Sequence, residues 1–263
     1  MTATPETQGA RWWNVLRFAV SRPSALPVLA HKISKRLRGE HDRGSPENDT
    51  WLASHSKTAD EVASAIDPEL WREAAEFASE FRRRAETILQ EIPFELGGGG
   101  DYQFLYWLTK LLKPDVVVET GVAAGWTSAA FLKAMQVTGH GRLYSSDLPY
   151  FRLPDPERFV GVLVEPELRA NWELHLEGDE INLPRILAKV EQADIFHYDS
   201  DKLRSGREFA VGLVRQKLAP GGLIIMDDIY NDSWFKDYVT KNSLPFTVIE
   251  SRYGIIGEIP RPA

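Results

Sequence analysis

Apolar side chains recur at helical spacing along residues 68–92, where Leu70, Ala74, Phe77, Phe81 and Ile88 fall on one face. Asp67 before Pro68 supplies a start signal, so the pattern predicts a long amphipathic helix. Four glycines at 97–100 break it, and DYQFLYWLTKLLKP restarts a helix that Pro114 stops. Beyond Pro114 the period changes. DVVVET at 115–120 is a short β-branched run suited to a strand buried on both faces, and a helix over Thr127–Met135 follows a glycine-containing turn. RLYSSD (142–147), ELHLEGD (173–179), ADIFHYDS (193–200) and GGLIIMDD (221–228) repeat the form, an apolar run followed by an acid. LPRILAKV and SGREFAVGLVRQKL read as helices between the later runs. Strands alternating with helices imply an α/β chain with a mostly parallel sheet covered on both faces. FTVIES and YGIIGEI nearly abut, and only an antiparallel pair is joined so tightly, so a seven-stranded sheet should finish with a reversed C-terminal strand.

The N-terminal quarter differs. Residues 39–60 are polar with Gly and Pro and read as a linker, which divides the chain into a helical segment with linker at 1–65 and a main domain at 66–263. Residues 1–44 hold eight Arg and Lys against three acids, a net +5 in a chain that carries −7, so the remainder is about −12. An acidic body argues against nucleic acid as a partner. The basic segment also carries Trp12, Trp13 and Phe18. It suits either a weak peripheral membrane contact or a helix packed on the body or on a second copy in a homo-oligomer. Arg17, Arg22, Pro23 and Pro27 interrupt any signal-peptide core, and no apolar run of about 18 residues exists, so a cytoplasmic location is expected. The chain has no cysteine, which leaves only oxygen or imidazole ligands for a metal.

Asp147, Asp179, Asp199 and the Asp227–Asp228 pair all follow predicted strands, and in open α/β sheets ligands bind outside those ends. Five carboxylates on one rim exceed what packing needs. After the first long strand comes ETGVAAGWTS, in which Gly121 permits a tight turn and Gly125 permits close approach to the backbone. The spacing is not that of the dinucleotide fingerprint, and Glu119 would repel a pyrophosphate but welcome a cation. Asp147 is placed to accept from two ribose hydroxyls. A positive centre, a ribose and no phosphate describe S-adenosylmethionine.

With its QFL-containing helix and E-x-G-x-x-x-G-x-S after the strand, DYQFLYWLTKLLKPDVVVETGVAAGWTSAAFLKAM resembles class I S-adenosylmethionine-dependent O-methyltransferases of the catechol and caffeoyl-CoA type. The resemblance spans roughly residues 100–259 and implies a Rossmann-like, doubly wound fold. It further implies that Glu119, Gly121 and Gly125 line the methionine end and that Thr127 or Ser128 contacts its carboxylate or loop. Asp147 would hold the ribose, with Gly178 and Asp179 near the adenine.

Ends of neighbouring strands lie about 5 Å apart, so Asp199, Asp227 and Asp228 repel one another unless a proton or cation intervenes. Oxygen ligands of this kind suit Mg²⁺. The D-x-x-K and D-D patterns of the metal-dependent group appear here as Asp199 with Lys202 and Asp227 with Asp228, and macrocin-type sugar O-methyltransferases are similar. A metal lowers the pKa of an acceptor hydroxyl and aims it, while Lys202, if neutral, takes its proton; if charged, it is a salt-bridge partner of Asp201. The reading is a Mg²⁺-dependent O-methyltransferase for a small-molecule hydroxyl acceptor, with a lean to a sugar or polyol. A metal-independent enzyme acting on nitrogen or protein, or a non-catalytic module of the same fold, are the alternatives. Residues 149–172 are expected as a lid, and Tyr150, Phe151, Trp172, Tyr230 and Trp234 as an apolar wall for the acceptor.

Overall fold

The computed structural model describes residues 5–30, 34 and 44–260. Lys32, Lys35, Arg36, Arg38 and Arg43, which supply most of the N-terminal positive charge, lie outside the described residues. The described elements begin with helix α1 (Pro5–Ser21), α2 (Pro46–His55), the two-residue strand β1 (Ser56–Lys57), α3 (Ala59–Ser64), α4 (Pro68–Gln90) and α5 (Tyr102–Leu112). The alternating part follows as β2 (Val116–Thr120), α6 (Trp126–Thr138), β3 (Arg142–Ser146), β4 (Trp172–His175), α7 (Asp179–Lys189), β5 (Ala193–Tyr198), α8 (Arg204–Val214) and β6 (Leu218–Met226). It closes with α9 (Trp234–Lys241), β7 (Phe246–Ile249) and β8 (Tyr253–Ile256).

Helix starts obey local chemistry. The Asp67 carboxylate accepts from Leu70 N with Pro68 behind it, and the Asp101 carboxylate accepts from Phe104 N to open α5. α5 stops at Lys113, whose left-handed φ of 47° precedes Pro114.

One sheet runs β1-β7-β8-β6-β5-β2-β3-β4. Every pairing is parallel except those of β8, which lies antiparallel between β6 and β7. The expected reversed strand is therefore present, and it is inserted two places in from the edge. Alternate strand residues feed two cores. Val117, Ile195, Leu223, Ile225 and Ile255 pack with α4, α5 and α6, whereas Val118, Phe196, Ile224, Met226 and Ile256 pack with α7, α8 and α9.

Two expectations are corrected. The sheet has eight strands rather than seven, because Ser56 and Lys57 pair with Val248 and Ile249. The described part of the expected linker is folded: Ser45 caps α2, Leu52 is buried against the α9 side, and Asn48 donates to Asp232 O. Its few apolar residues gave no period, yet Trp51 and Leu52 suffice to dock it beside Phe235 and Phe246. α1 packs through Phe18, while Trp12, Trp13, Leu16 and Val20 remain exposed. No described helix is long and apolar enough to cross a membrane.

Candidate active site

Parallel register assembles the first cluster. Glu119 on β2 sits opposite Ser145 on β3 and His197 on β5. Its fully buried carboxylate accepts from Thr127 Oγ1 at 2.6 Å, Ser128 Oγ at 2.6 Å and Ser145 Oγ at 2.7 Å. Burial raises this carboxyl to about 7 despite the three hydroxyls. His197 Nδ1 lies 3.9 Å from Glu119 Oε1, and burial lowers its imidazole to about 4. Glu119 thus presents no surface of its own and anchors the start of α6. Thr127 and Ser128 turn their hydroxyls inward for the same reason.

The glycines fit their turns but serve packing against the chain itself. A Cβ on Gly121, at φ 82°, would meet Asp199 O at 2.1 Å; one on Gly125, at φ 97°, would meet Gly161 Cα at 2.8 Å. The expected close approach at Gly125 is made by the 149–172 insert. Gly161 N donates to Ala123 O and Leu163 N to Ala124 O, which docks that insert on the turn between β2 and α6. Asp147 accepts from Ala123 N at 2.8 Å and Leu148 N at 2.6 Å, which fixes its carboxylate against the turn after β2. Gly178 N donates to Asp147 O, and Asp179 opens α7 with its carboxylate bonded to Ser146 and Ser200.

The second cluster is the acid triad. Asp227 N donates to Tyr198 O and Asp199 N to Thr120 O, one ladder step beyond the strands, which sets the two acids side by side. Asp199, Asp227 and Asp228 each present an oxygen within 4.8 Å of the others. Mg²⁺ at about 2.1 Å from each ligand spans about 4 Å, so small side-chain rotations fit the three to one ion. Asp228 holds a left-handed φ of 53°, and its turn is pinned by Arg207, a fully buried guanidinium that donates to Asp227 O and Asp228 O.

Two cations complete the triad. Lys202 Nζ pairs with Asp199 and lies 3.0 Å from Asp228; Arg252 Nε lies 3.0 Å from Asp227 and 3.4 Å from Asp228. Burial pulls Lys202 down, but the charges of Asp199 and Asp228 outweigh it and raise its amine, so without metal it is charged. It pairs with those two acids, which corrects the Asp201 partnership. Burial, and then the Asp227 and Asp228 charges, raise Asp199 against the pull of Lys202. Burial also pushes Asp227 up, yet the Arg252 hydrogen bond and the Lys202 charge hold it below its ordinary range.

The expected aromatic wall is mostly dispersed. Trp234 is core, stacked on Tyr238; Trp172 donates to Ser145 beneath Gly161; Phe151 meets Phe18; and Tyr150 donates to Leu96 O. Of the five, Tyr230 lies beside the triad, where burial and the Asp228 carboxylate raise its hydroxyl. Sequence reasoning missed Arg207, Arg252, Tyr253 and Gly100. Position 100 packs on Thr127, and a Cβ there would lie 3.6 Å from the Tyr253 hydroxyl and 3.8 Å from Asp227 Oδ2. The available signal was the reversed strand: an antiparallel β8 begins at the rim where its neighbours end, so Arg252 and Tyr253 had to arrive beside Asp227.

Residues 118–229 match the family described as a methyltransferase domain. No curated protein matches the chain by sequence. In structure the chain is similar to a putative caffeoyl-CoA O-methyltransferase from Staphylococcus aureus, with a TM-score of 0.51 and 13% identity over 68% of this chain and 91% of that one. It is similar to CalS11, a TDP-rhamnose 3'-O-methyltransferase of calicheamicin biosynthesis, with a TM-score of 0.51 and 16% identity over 68% and 93%. A methyltransferase from Geobacter sulfurreducens gives a TM-score of 0.50 and 18% identity over 69% and 90%. Residues 118–229 thus match a methyltransferase domain, and the chain shares the fold of these solved methyltransferases.

Proposed function

We propose that the protein is a Mg²⁺-dependent O-methyltransferase that moves the methyl group of S-adenosylmethionine to a hydroxyl of a small molecule, with a sugar or polyol favoured. The observation that carries this reading is the convergence of Asp199, Asp227 and Asp228 beside Lys202 at the strand ends. Asp147 accepts from the ribose hydroxyls, and Gly178 and the first turn of α7 border the base. Glu119 fixes the start of α6 and so the loop that faces the methionine end. The three aspartates would hold the metal, which when bound would lower the pKa of an acceptor hydroxyl and fix its direction. Lys202, once it has released its own proton to solvent, would take the proton of the acceptor hydroxyl. Tyr230, Tyr253 and Gly100 border the space for the acceptor. The chemistry belongs to the body, residues 66–263, in a cytoplasmic protein. Peripheral contact, with a membrane surface or a second copy, falls to the exposed Trp12, Trp13, Leu16 and Val20.

A labelled-methyl assay over catechols, phenolics and glycosides, with and without Mg²⁺, tests this. EDTA should abolish transfer, and Asp228→Ala should lower it by at least about 100-fold. Activity indifferent to both would sink the metal role. It would instead favour metal-independent transfer, a reading supported by the two internal cations, Lys202 and Arg252, that already offset the acids.

A further inference from the structure

Helix α1 is apolar on two sides. Phe18 and Ala19 are buried on one, where Phe18 meets Phe151 edge-on at 5.1 Å. On the other, Trp12, Trp13, Leu16 and Val20 are each more than half exposed, and the helical repeat gathers these four into an arc of about 100°. Single exposed apolar residues are ordinary on a surface, but a stripe of four large ones along a helix marks a contact face.

The helix cannot roll to bury that stripe, because its other side is tied down. Asn14 Nδ2 donates to Phe151 O at 3.1 Å and to Leu153 O at 2.8 Å, Arg22 pairs with Glu157, and Ser24 Oγ donates to Glu177 Oε1 at 2.8 Å. These partners lie in the loops that leave the C-terminal ends of β3 and β4, so α1 rests on the rim that carries Asp147.

Charge selects what covers the stripe. Residues 1–44 carry a net +5 and the remainder about −12. Exposed Arg17 follows Leu16 at the border of the stripe. An anionic bilayer attracts this segment and repels the body, so the molecule meets lipid with α1 first. Indole rings suit the headgroup level, with an apolar body and a polar N–H. A second copy that met the stripe through its own would set +5 against +5.

We propose that α1 lies in the headgroup region of an anionic phospholipid bilayer, with Trp12, Trp13, Leu16 and Val20 turned into the lipid. This rests on the N-terminal contact in the reading above and not on its chemistry. Docking in this way holds the rim bearing Asp147 beside the membrane surface.

Co-sedimentation of the full chain with vesicles tests it. Wild type should bind vesicles of equal parts phosphatidylglycerol and phosphatidylcholine at least about tenfold more tightly than vesicles of phosphatidylcholine alone, and raising salt from about 0.1 M to about 0.5 M should remove most of that difference. Trp12→Ser combined with Trp13→Ser should weaken binding to the anionic vesicles by at least about tenfold and leave transfer to a soluble acceptor in lipid-free buffer unchanged. No binding to either vesicle, equal binding to both, or binding that the double variant retains overturns the docking. A lipid-free dimer in ultracentrifugation that the double variant dissolves gives the stripe to a second copy and overturns it as well. The lipid-free transfer assay judges the catalytic reading separately, since vesicle binding needs no methyl transfer.

Discussion

Glu119 at the end of β2 and Asp227 just past the end of β6 are both buried carboxylates, two strands apart on one rim, yet the groups around them differ in kind. Glu119 is held by three neutral hydroxyls and a histidine that burial keeps uncharged. Asp227 is surrounded by ions: two further aspartates, Lys202 and Arg252. Dipoles that serve one carboxylate cannot be exchanged for anything without taking the fold apart, whereas mobile cations beside a partly open triad can yield to another cation. One cluster is therefore a fixed part of the scaffold, and the other is the one we propose as the site.

The strongest way to break this contrast is at Lys202. Lys202→Met should lower kcat by about 10²–10⁴-fold at saturating Mg²⁺ and remove one limb of the pH–rate profile. A loss that appears only in KM would return Lys202 to a charge-balancing role.

A second test concerns pH and the buried pair. Glu119, raised to about 7, holds a proton in the folded protein that the unfolded chain releases above about 4.5. Its contribution to stability is full below 4.5 and is lost as pH rises toward 7. His197, lowered to about 4 from 6.5, acts in the opposite sense: its contribution is full above 6.5 and is lost as pH falls through 4. The two slopes offset each other between about 4.5 and 6.5. Glu119→Gln should expose the histidine slope, so that urea midpoints rise with pH across that window by on the order of 2 kcal/mol in stability. A flat profile in the variant would mean that His197 does not titrate differently in the folded and unfolded chain once the Glu119 carboxyl is gone.

Smaller effects separate the cations. Arg207→Lys keeps the charge but cannot span the Asp227 and Asp228 carbonyls, so Mg²⁺ should bind about tenfold more weakly by calorimetry while the fold persists. Arg252→Ala removes a competitor for Asp227 and should tighten Mg²⁺ by a few-fold at most, since that guanidinium is 43% exposed.

The alternating runs from residue 115 onward were legible because a strand buried on both faces leaves an unbroken apolar run and a polar residue at its end. That same rule placed Asp199, Asp227 and Asp228 on one rim before any geometry was known. Three things were not legible. Gly125 reads identically whether a ligand or Gly161 approaches it. Aromatics such as Trp234 and Trp172 carry no sign of which face they occupy. Arg207 lies on an amphipathic helix face that ordinarily holds apolar residues, and only the fold reveals that its guanidinium meets two carbonyls.

The short β1 strand has a practical consequence for handling the molecule. Ser56 and Lys57 cover the outer edge of β7, and Glu250 N closes the same edge by donating to Lys57 O. A version of the chain begun at residue 66, where composition alone would cut it, would leave β7 as a bare edge beside the aromatic patch of Phe235 and Phe246. Unprotected edges of that kind template pairing between molecules. Such a shortened protein should be prone to aggregate, and one begun near residue 44 should not.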